Sequence, residues 1–176
     1  MMSAPIAVGV WSLLGVGLIV ALVFGLRRRS HDGGELVPVL PQAPSDLGDE
    51  FAGGIAATYV STTAHGDWLA RIGEHGLGHR AAARVGVTSA GVLIARQGEA
   101  DVFIPASRVR EHHAATGIAG KYAPHDGLDV ISWQVPAGGA VVDTGLRIVS
   151  KQDRARLSAA LDSLLATQSS TTKEIP

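Results

Sequence analysis

The longest apolar segment of the chain lies near its N-terminus. Residues 6–26 form 21 consecutive positions without a charged side chain. At about 1.5 Å per residue, a helix of this length reaches about 31 Å, the thickness of the hydrocarbon core of a bilayer. Arg27, Arg28 and Arg29 follow directly, whereas no charged side chain precedes the segment. The pattern predicts an N-terminal transmembrane anchor over residues 1–29, with the N-terminus outside the inner membrane and the remainder in the cytoplasm.

The segment allows two further interpretations. A cleaved signal peptide carries its positive charges before a shorter apolar core, and here the three arginines follow a long one. Gly17, Ala21 and Gly25 recur every four residues, which would allow a second helix to approach closely and form a homodimer. Glycine and alanine are also common in membrane spans for no such reason, so both explanations of the repeat stay open.

Residues 30–53 lose any regular apolar pattern. Pro38, Pro41 and Pro44 follow a three-residue period, which is typical of an extended polyproline II spacer. The segment also contains five acids and neither lysine nor arginine: Asp32, Glu35, Asp46, Asp49 and Glu50. We interpret it as an acidic linker, and docking of its prolines in an aromatic groove is the alternative.

From residue 54 onward, short apolar runs alternate with turn residues. They predict six or seven strands, of which six lie at 55–62, 80–88, 91–96, 101–105, 128–135 and 140–149. The last element has helical period instead. Ser150 is placed to cap it, and Leu157, Leu161, Leu164 and Leu165 form one apolar stripe. The sequence therefore predicts an α+β, mostly β, domain over residues 54–167, followed by a disordered tail over 168–176.

Composition excludes several classes of function. The chain has no cysteine, which removes disulfides, thiolate catalysis and Cys-ligated zinc. Its formal net charge is −1, whereas nucleic-acid-binding domains are usually strongly basic. We therefore predict no nucleic-acid partner.

The seven histidines suggest a metal site, most of all His75 with His79 and the pair His112 and His113. A His-x-x-x-His pair needs a helix to bring both rings to one side, and two glycines lie between His75 and His79. No nucleophile elbow and no phosphate-binding glycine loop is present. The sequence thus predicts solvated histidines, no metal, no cofactor and no catalytic residue.

Several short stretches resemble a known family. They are the arginines after the apolar segment and residues 103–107, 118–121, 126–128 and 131–133. Together they resemble the small actinobacterial single-pass membrane proteins that carry a pleckstrin-homology-like (PH-like) domain. The resemblance implies an antiparallel barrel capped by a C-terminal helix, after one transmembrane helix.

PH-like domains are best known for binding anionic lipid headgroups through basic residues near the first loop. The corresponding loop here, residues 64–79, supplies Arg71, and Arg80 and Arg84 follow it. One arginine near a membrane contributes about 1 kcal/mol, so these three can assist docking without giving selectivity. Arg108 and Arg110 lie after a predicted strand, where they either flank a partner-binding groove or only solvate a connection.

The sequence predicts that the protein is a membrane-anchored, non-catalytic PH-like module that tethers a cytoplasmic protein partner at the inner membrane. Two alternatives remain. The domain is a sensor of anionic lipid through Arg71, Arg80 and Arg84, or the chain is an accessory subunit of a membrane transport or export system.

Overall fold

The computed structural model describes residues 15–17, 20, 36–115, 117–118, 121–122 and 127–172. These residues form nine strands and, at the C-terminus, one long helix, α1. The strands are β1 Glu50–Ala64, β2 Ala81–Thr88, β3 Gly91–Arg96, β4 Val102–Pro105, β5 Val109–Ala115, β6 Gly117–Ile118, β7 Lys121–Tyr122, β8 Leu128–Gln134 and β9 Val141–Arg147. Helix α1 is Lys151–Thr172, and short 3-10 helices occupy Glu74–Gly76 and Ala106–Arg108.

Seven strands form one antiparallel sheet in the order β4-β3-β2-β1-β9-β8-β5. The long strand β1 belongs to both halves of this sheet, because its residues up to Tyr59 pair with β2 and those from Thr58 onward pair with β9. The small strands β6 and β7 form a separate two-stranded sheet among the described residues. The predicted mostly β domain with a C-terminal helix is thereby confirmed.

The core lies between the sheet and α1. Along β2 the side chains alternate, so that Val85 and Val87 are fully buried while Arg84 faces outward. The backbone N–H of Asp153 donates to the Ser150 hydroxyl at 3.2 Å, which is the predicted N-cap. The apolar stripe of α1 is also where the sequence predicted it: Leu157, Leu161 and Leu164 are buried and Leu165 packs against them, half-buried.

The segment before β1 differs from the predicted spacer. Strand β1 begins at Glu50, not at residue 55, since Gly53 and Gly54 lie in an irregular stretch of its pairing with β2. Gly54 has a φ of 66°, a conformation typical of glycine in a β-bulge. Further upstream, Val37 is fully buried in the core. Residues 36–49 therefore form a strap on the domain, which we call the N-terminal strap.

Two other elements differ from their predicted form. The segment that begins at Val109 is an edge strand, β5, although its polar composition indicated a connection. Helix α1 continues through Thr172, past the predicted end of the domain at residue 167. The hydroxyls of Ser163 and Thr167 donate to the carbonyls of Ala159 and Ser163, both at 2.9 Å, so these polar side chains are satisfied within the helix.

Within the described part of the chain, no helix is both long and apolar enough to cross a bilayer. The predicted anchor lies outside the described residues, apart from Gly15, Val16, Gly17 and Val20, which are helical. Arg27, Arg28 and Arg29 lie outside them as well, together with Ala21 and Gly25 of the predicted dimer face.

Candidate functional site

A buried arginine organises the long loop between β1 and β2, residues 65–80. The Arg96 side chain is only 5% exposed. Its guanidinium donates to the carbonyls of Ala100, Gly76 and His75 at 2.7, 2.7 and 3.0 Å. It also lies over the Tyr59 ring, 4.7 Å from the centroid. One side chain therefore fixes the β1–β2 loop to the β3–β4 loop.

His75 connects the same loop to the N-terminal strap. It has a φ of 53°, which is uncommon for a residue other than glycine. In this conformation its Nε2–H donates to the carbonyls of Val37 and Pro38 at 3.0 and 3.3 Å. Gly76 follows with a φ of 65°, and a Cβ there would lie 2.2 Å from Glu99. The two glycines around position 77 thus allow a tight loop, not a metal-binding helix.

A chain of hydrogen bonds runs through the core beneath the loop. The indole N–H of Trp133 donates to Thr144, whose hydroxyl lies 2.8 Å from that of Thr62. Thr62 in turn lies 2.6 Å from the Tyr59 hydroxyl, which donates to the Leu77 carbonyl at 2.8 Å. Because the indole only donates and the carbonyl only accepts, all the hydroxyl protons in the chain point toward the loop. Burial raises the pKa of Tyr59 to about 12.

The tip of the β1–β2 loop exposes two apolar side chains. Trp68 is 55% exposed and Leu69 is 57% exposed. A carboxylate oxygen of Asp67 accepts the N–H groups of Leu69 and Ala70 at 3.1 and 3.3 Å. The Ala64 N–H donates to the Ala70 carbonyl at 3.0 Å, which closes the loop at its base. The tip is therefore held in a defined turn.

At the base of this loop, a serine, an aspartate and a histidine come together without forming a catalytic triad. Asp143 accepts from the Ser132 hydroxyl at 2.7 Å and lies 2.9 Å from His65 Nδ1. A triad requires histidine next to serine as its base, and here the carboxylate lies between them. Ser132 is also fully buried. The hydrogen bond to Asp143, and the charge of that carboxylate, raise the pKa of His65.

Other histidines form pairs with single carboxylates. His79 Nδ1 lies 2.9 Å from Glu99, and His112 Nε2 lies 2.9 Å from Asp162 of α1. Among the described residues, no three His, Asp or Glu side chains group closely enough to hold a metal ion. Each of these histidines therefore pairs with one carboxylate.

A groove of about 370 Å³ lies between the edge strand β5 and helix α1. Its polar lining comes from His112 and His113 of β5, Asp129 of β8, and Lys151 and Arg154 of α1. Arg154 Nε donates to Asp129 at 3.2 Å, and its Nη2 donates to the Ile148 carbonyl at 3.1 Å. Burial raises the pKa of Asp129, and the nearby Arg154 opposes this shift.

Of the three arginines predicted for lipid contact, two lie in the β1–β2 loop and one lies on β2. Arg71 belongs to the β1–β2 loop, where it forms an isolated bridge with Thr63. Arg80 is exposed at the end of that loop. Arg84 lies farther along β2 and donates to the Gly54 carbonyl at 3.4 Å. Their role in lipid binding stays a prediction.

The two arginines predicted for partner contact lie near the start of β5. Arg108 is half-buried in the second 3-10 helix. Arg110 is exposed on β5 and donates to Gln134 of β8. Neither lines the groove itself, whereas His112 and His113, noted from the sequence beside them, do.

Sequence reasoning missed three features of this region. Arg96 lies inside an ordinary apolar strand pattern, so nothing marked it as buried. Asp129 and Arg154 are 25 positions apart and meet only in the folded chain. Trp68 and Leu69 were detectable, since an apolar pair directly after Gly66 and Asp67 fits no strand pattern.

Comparison with protein families gives one finding. The model of a family described as bacterial PH domain-like matches residues 37–162. The match begins at the buried Val37 of the strap and ends within α1, so it covers the whole seven-stranded sheet. Searches of curated proteins and of solved structures each gave no match.

Proposed function

Because the chain belongs to the bacterial PH domain-like family, we propose that it is a non-catalytic binding module for a protein partner. The partner contributes an extended segment that lies in the groove between β5 and α1. The observation that carries the proposal is an edge strand bordering a groove of about 370 Å³ that a helix closes on the other side.

Backbone pairing supplies the first part of the affinity. Strand β5 is the last strand of the main sheet and pairs only with β8 within the described residues. Its outer side can therefore accept one more strand, as in other modules that bind extended peptides. The groove gives side chains of the added strand a place to pack against α1.

Charge supplies the second part. Lys151 and Arg154 line the groove together with His112 and His113, and Asp129 is the acid among the lining residues. Since Arg154 already neutralises Asp129, Lys151 is left as the excess positive charge. An acidic partner segment complements this lining.

The proposal includes a location for the domain, in the cytoplasm at the inner membrane. This location is supported by the uncharged residues 6–26 and the three arginines after them. The buried Ser132 and its bond to Asp143, not to a histidine, support a role without catalysis. In this function the anchor holds the domain at the membrane and the domain holds the partner.

Photo-crosslinking of the full chain in its native membrane tests the groove. A photoreactive amino acid at His113 is expected to give an adduct with one defined protein. The matched control replaces Ala82, an exposed position on β2 in the other half of the sheet. Lys151→Glu should reduce the adduct at position 113 several-fold. Equal adducts at 113 and 82, or adducts with lipid alone, would contradict the proposal.

Reporter fusions test the orientation. A C-terminal fluorescent protein is expected to fluoresce, and a C-terminal alkaline phosphatase is expected to be inactive, because the C-terminus is proposed to be cytoplasmic. The reverse pair of results would place the domain outside the membrane. It would also exclude a cytoplasmic partner.

A further inference from the structure

We infer that strand β5 pairs with β5 of a second copy of this chain, antiparallel and in one register, centred on His112. The inference rests on the proposed function in one respect, because this pairing occupies the edge that the partner segment needs. A second copy therefore competes with the partner and regulates access to the groove. Since both copies contribute the same strand, the interface has two-fold symmetry.

The edge of β5 is open to another strand. Within the part of the chain that the structure describes, β8 is the only strand beside it. Natural edge strands are commonly protected from further pairing by proline, lysine or a bulge. The irregularity in the pairing with β8 lies between Val109 and Glu111, and residues 111–115 pair without interruption. They include neither proline nor lysine, so this part of the edge is suited to a regular ladder.

The side chains of β5 alternate between the two faces of the sheet. His112 lies on the face toward α1, where its Nε2 is 2.9 Å from Asp162. Glu111 and His113 share the other face, with Oε1 and Nδ1 3.9 Å apart, and at the strand edge His113 also borders the groove. Their side chains are 59% and 47% exposed. A carboxylate and an imidazole are therefore accessible two positions apart on one face of the edge.

Charge selects the register. Residues directly opposite on antiparallel strands share a face, so the centre of a two-fold pairing moves one residue at a time along β5. Centred on His112, the pairing sets Glu111 against His113 of the second copy, twice, and the imidazole N–H can donate to the carboxylate. Centred on residue 111, it sets the two Glu111 carboxylates against each other, which is destabilising. Centred on residue 113, it leaves Glu111 opposite Ala115.

The predicted span permits the same symmetry. Gly17, Ala21 and Gly25 recur every four residues, which allows two spans to pack side by side. Two copies held in one membrane also meet at a higher effective concentration than in solution, so a short strand pair can hold them together. The charges of β5 carry the inference without this support, which comes from the sequence alone.

Cysteine cross-linking of the full chain tests the register, because the chain has no cysteine of its own. His112→Cys is oxidised in native membranes and should give a disulfide-linked dimer, since opposed Cα atoms lie about 4.5 to 5.5 Å apart. Ala114→Cys is the matched control, exposed on the same face of β5. Its two copies would lie about 14 Å apart and should give several-fold less dimer. Equal yields from the two variants, or no dimer from His112→Cys, overturn the inference.

Charge exchange between copies separates pairing from an effect on folding. In the His112→Cys chain, Glu111→Lys sets a lysine against His113 of the second copy, and His113→Glu sets two carboxylates against each other. Each variant alone should give several-fold less disulfide dimer. Expressed together with different tags, they should form a mixed dimer at close to the original yield, because every glutamate then meets a lysine or a histidine. A mixture that gives as little dimer as the single variants contradicts the pairing.

Competition with the partner has its own readout. The photoreactive amino acid at position 113 is combined with His112→Cys, and the adduct with another protein should fall several-fold on oxidation and return with reductant. An adduct equally strong in both states refutes the competition. An adduct of the chain with itself, at twice the mass, supports the pairing.

The same experiment separates this inference from the proposed function. If His112→Cys gives no dimer while the adduct with another protein remains at position 113, the inference fails and the proposed function stands. If the dimer forms and position 113 gives an adduct only with a second copy, the pairing stands and the proposed function fails.

Discussion

The β1–β2 loop and the groove beside β5 use the same types of side chain but hold them in different ways. At the loop, the Arg96 guanidinium is buried and donates to three backbone carbonyls. At the groove, Arg154 is 30% exposed and bonds to Asp129, while Lys151 is exposed. The polar contacts of the loop are thus buried in a closed framework, whereas those of the groove are partly accessible to solvent.

This difference indicates which surface can exchange partners. Buried hydrogen bonds have no water to replace a lost partner, so each broken bond costs the full desolvation of the group left behind. The Arg154–Asp129 pair is partly exposed, at 30% and 19% of the two side chains, so water reaches its charges, whereas fully exposed ion pairs are worth about 0 to 1 kcal/mol. The loop therefore serves as a rigid support for its tip, and the polar contacts of the groove cost less to rearrange than those of the loop.

The largest expected effect comes from breaking the closed framework at its centre. Arg96→Met should lower the free energy of unfolding by about 3 to 5 kcal/mol, because the carbonyls of His75 and Ala100 lose their side-chain donor and that of Gly76 keeps only the His79 N–H. Urea unfolding of the full chain in detergent measures it. Arg84→Met is the control, with an exposed side chain and an expected change within about 0.5 kcal/mol. Similar values for the two variants would refute the buried polar framework at the loop.

The core-facing side of α1, the helix beside the groove, gives the next largest effect. Leu161 is 2% exposed, and Leu161→Ala should cost about 3 kcal/mol through lost burial and a cavity. Leu165→Ala should cost less, since Leu165 is only half-buried. Thermal unfolding of the two variants measures the difference. If Leu161→Ala is harmless, α1 does not close the core, and the groove beside it loses its rigid wall.

Tyr59→Phe tests the hydrogen-bonded chain under the loop. At neutral pH the variant should lose about 1 to 2 kcal/mol, because the Thr62 hydroxyl loses its acceptor and the Leu77 carbonyl keeps only the Thr62 N–H as a donor. The pKa of Tyr59 is raised by burial from 10.0 to about 12. Between these values the unfolded chain loses a proton that the folded chain keeps. Stability should therefore fall by up to about 1.4 kcal/mol per pH unit in this window.

The dependence of stability on pH above pH 10 distinguishes this explanation from a general loss of packing. In Tyr59→Phe the contribution of Tyr59 to this dependence should disappear, although the variant starts from a lower stability. Unfolding midpoints in urea from pH 8 to pH 11 measure it. An unchanged slope would mean that Tyr59 is not the group that couples folding to alkaline pH.

The smallest expected effect is at His65, which pairs with Asp143 at the base of the β1–β2 loop. Asp143 raises the pKa of His65, so the stabilisation is fully present below the unfolded-state pKa and is lost as pH rises through the folded-state value. Because His65 is about half exposed, His65→Gln should cost less than about 1 kcal/mol at pH 5.5 and almost nothing at pH 8.5. A cost that grows with pH would contradict this pairing.

Local patterns were sufficient for the parts of the fold that depend on one face of one element. Alternation located β2 and β8, a short apolar run between turn residues located β3, and the leucine stripe with Ser150 located α1. They were insufficient for β5, whose polar residues form a strand because β8 offers a partner for backbone pairing. The sequence placed the start of the first strand at residue 55, but pairing with β2 extends β1 back to Glu50 and makes Gly53 and Gly54 a bulge inside it.

By itself, the sequence determined the mostly β class, the long C-terminal helix and the residues that α1 buries, because hydrophobic periodicity records which face of an element meets the core. Only the tertiary structure decided that the strap enters the core at Val37 and that Arg96 is enclosed. It also decided that Lys151 and His113 line one groove. These features depend on contacts between residues far apart in the chain, and burial and backbone pairing at such contacts leave no local period in the sequence.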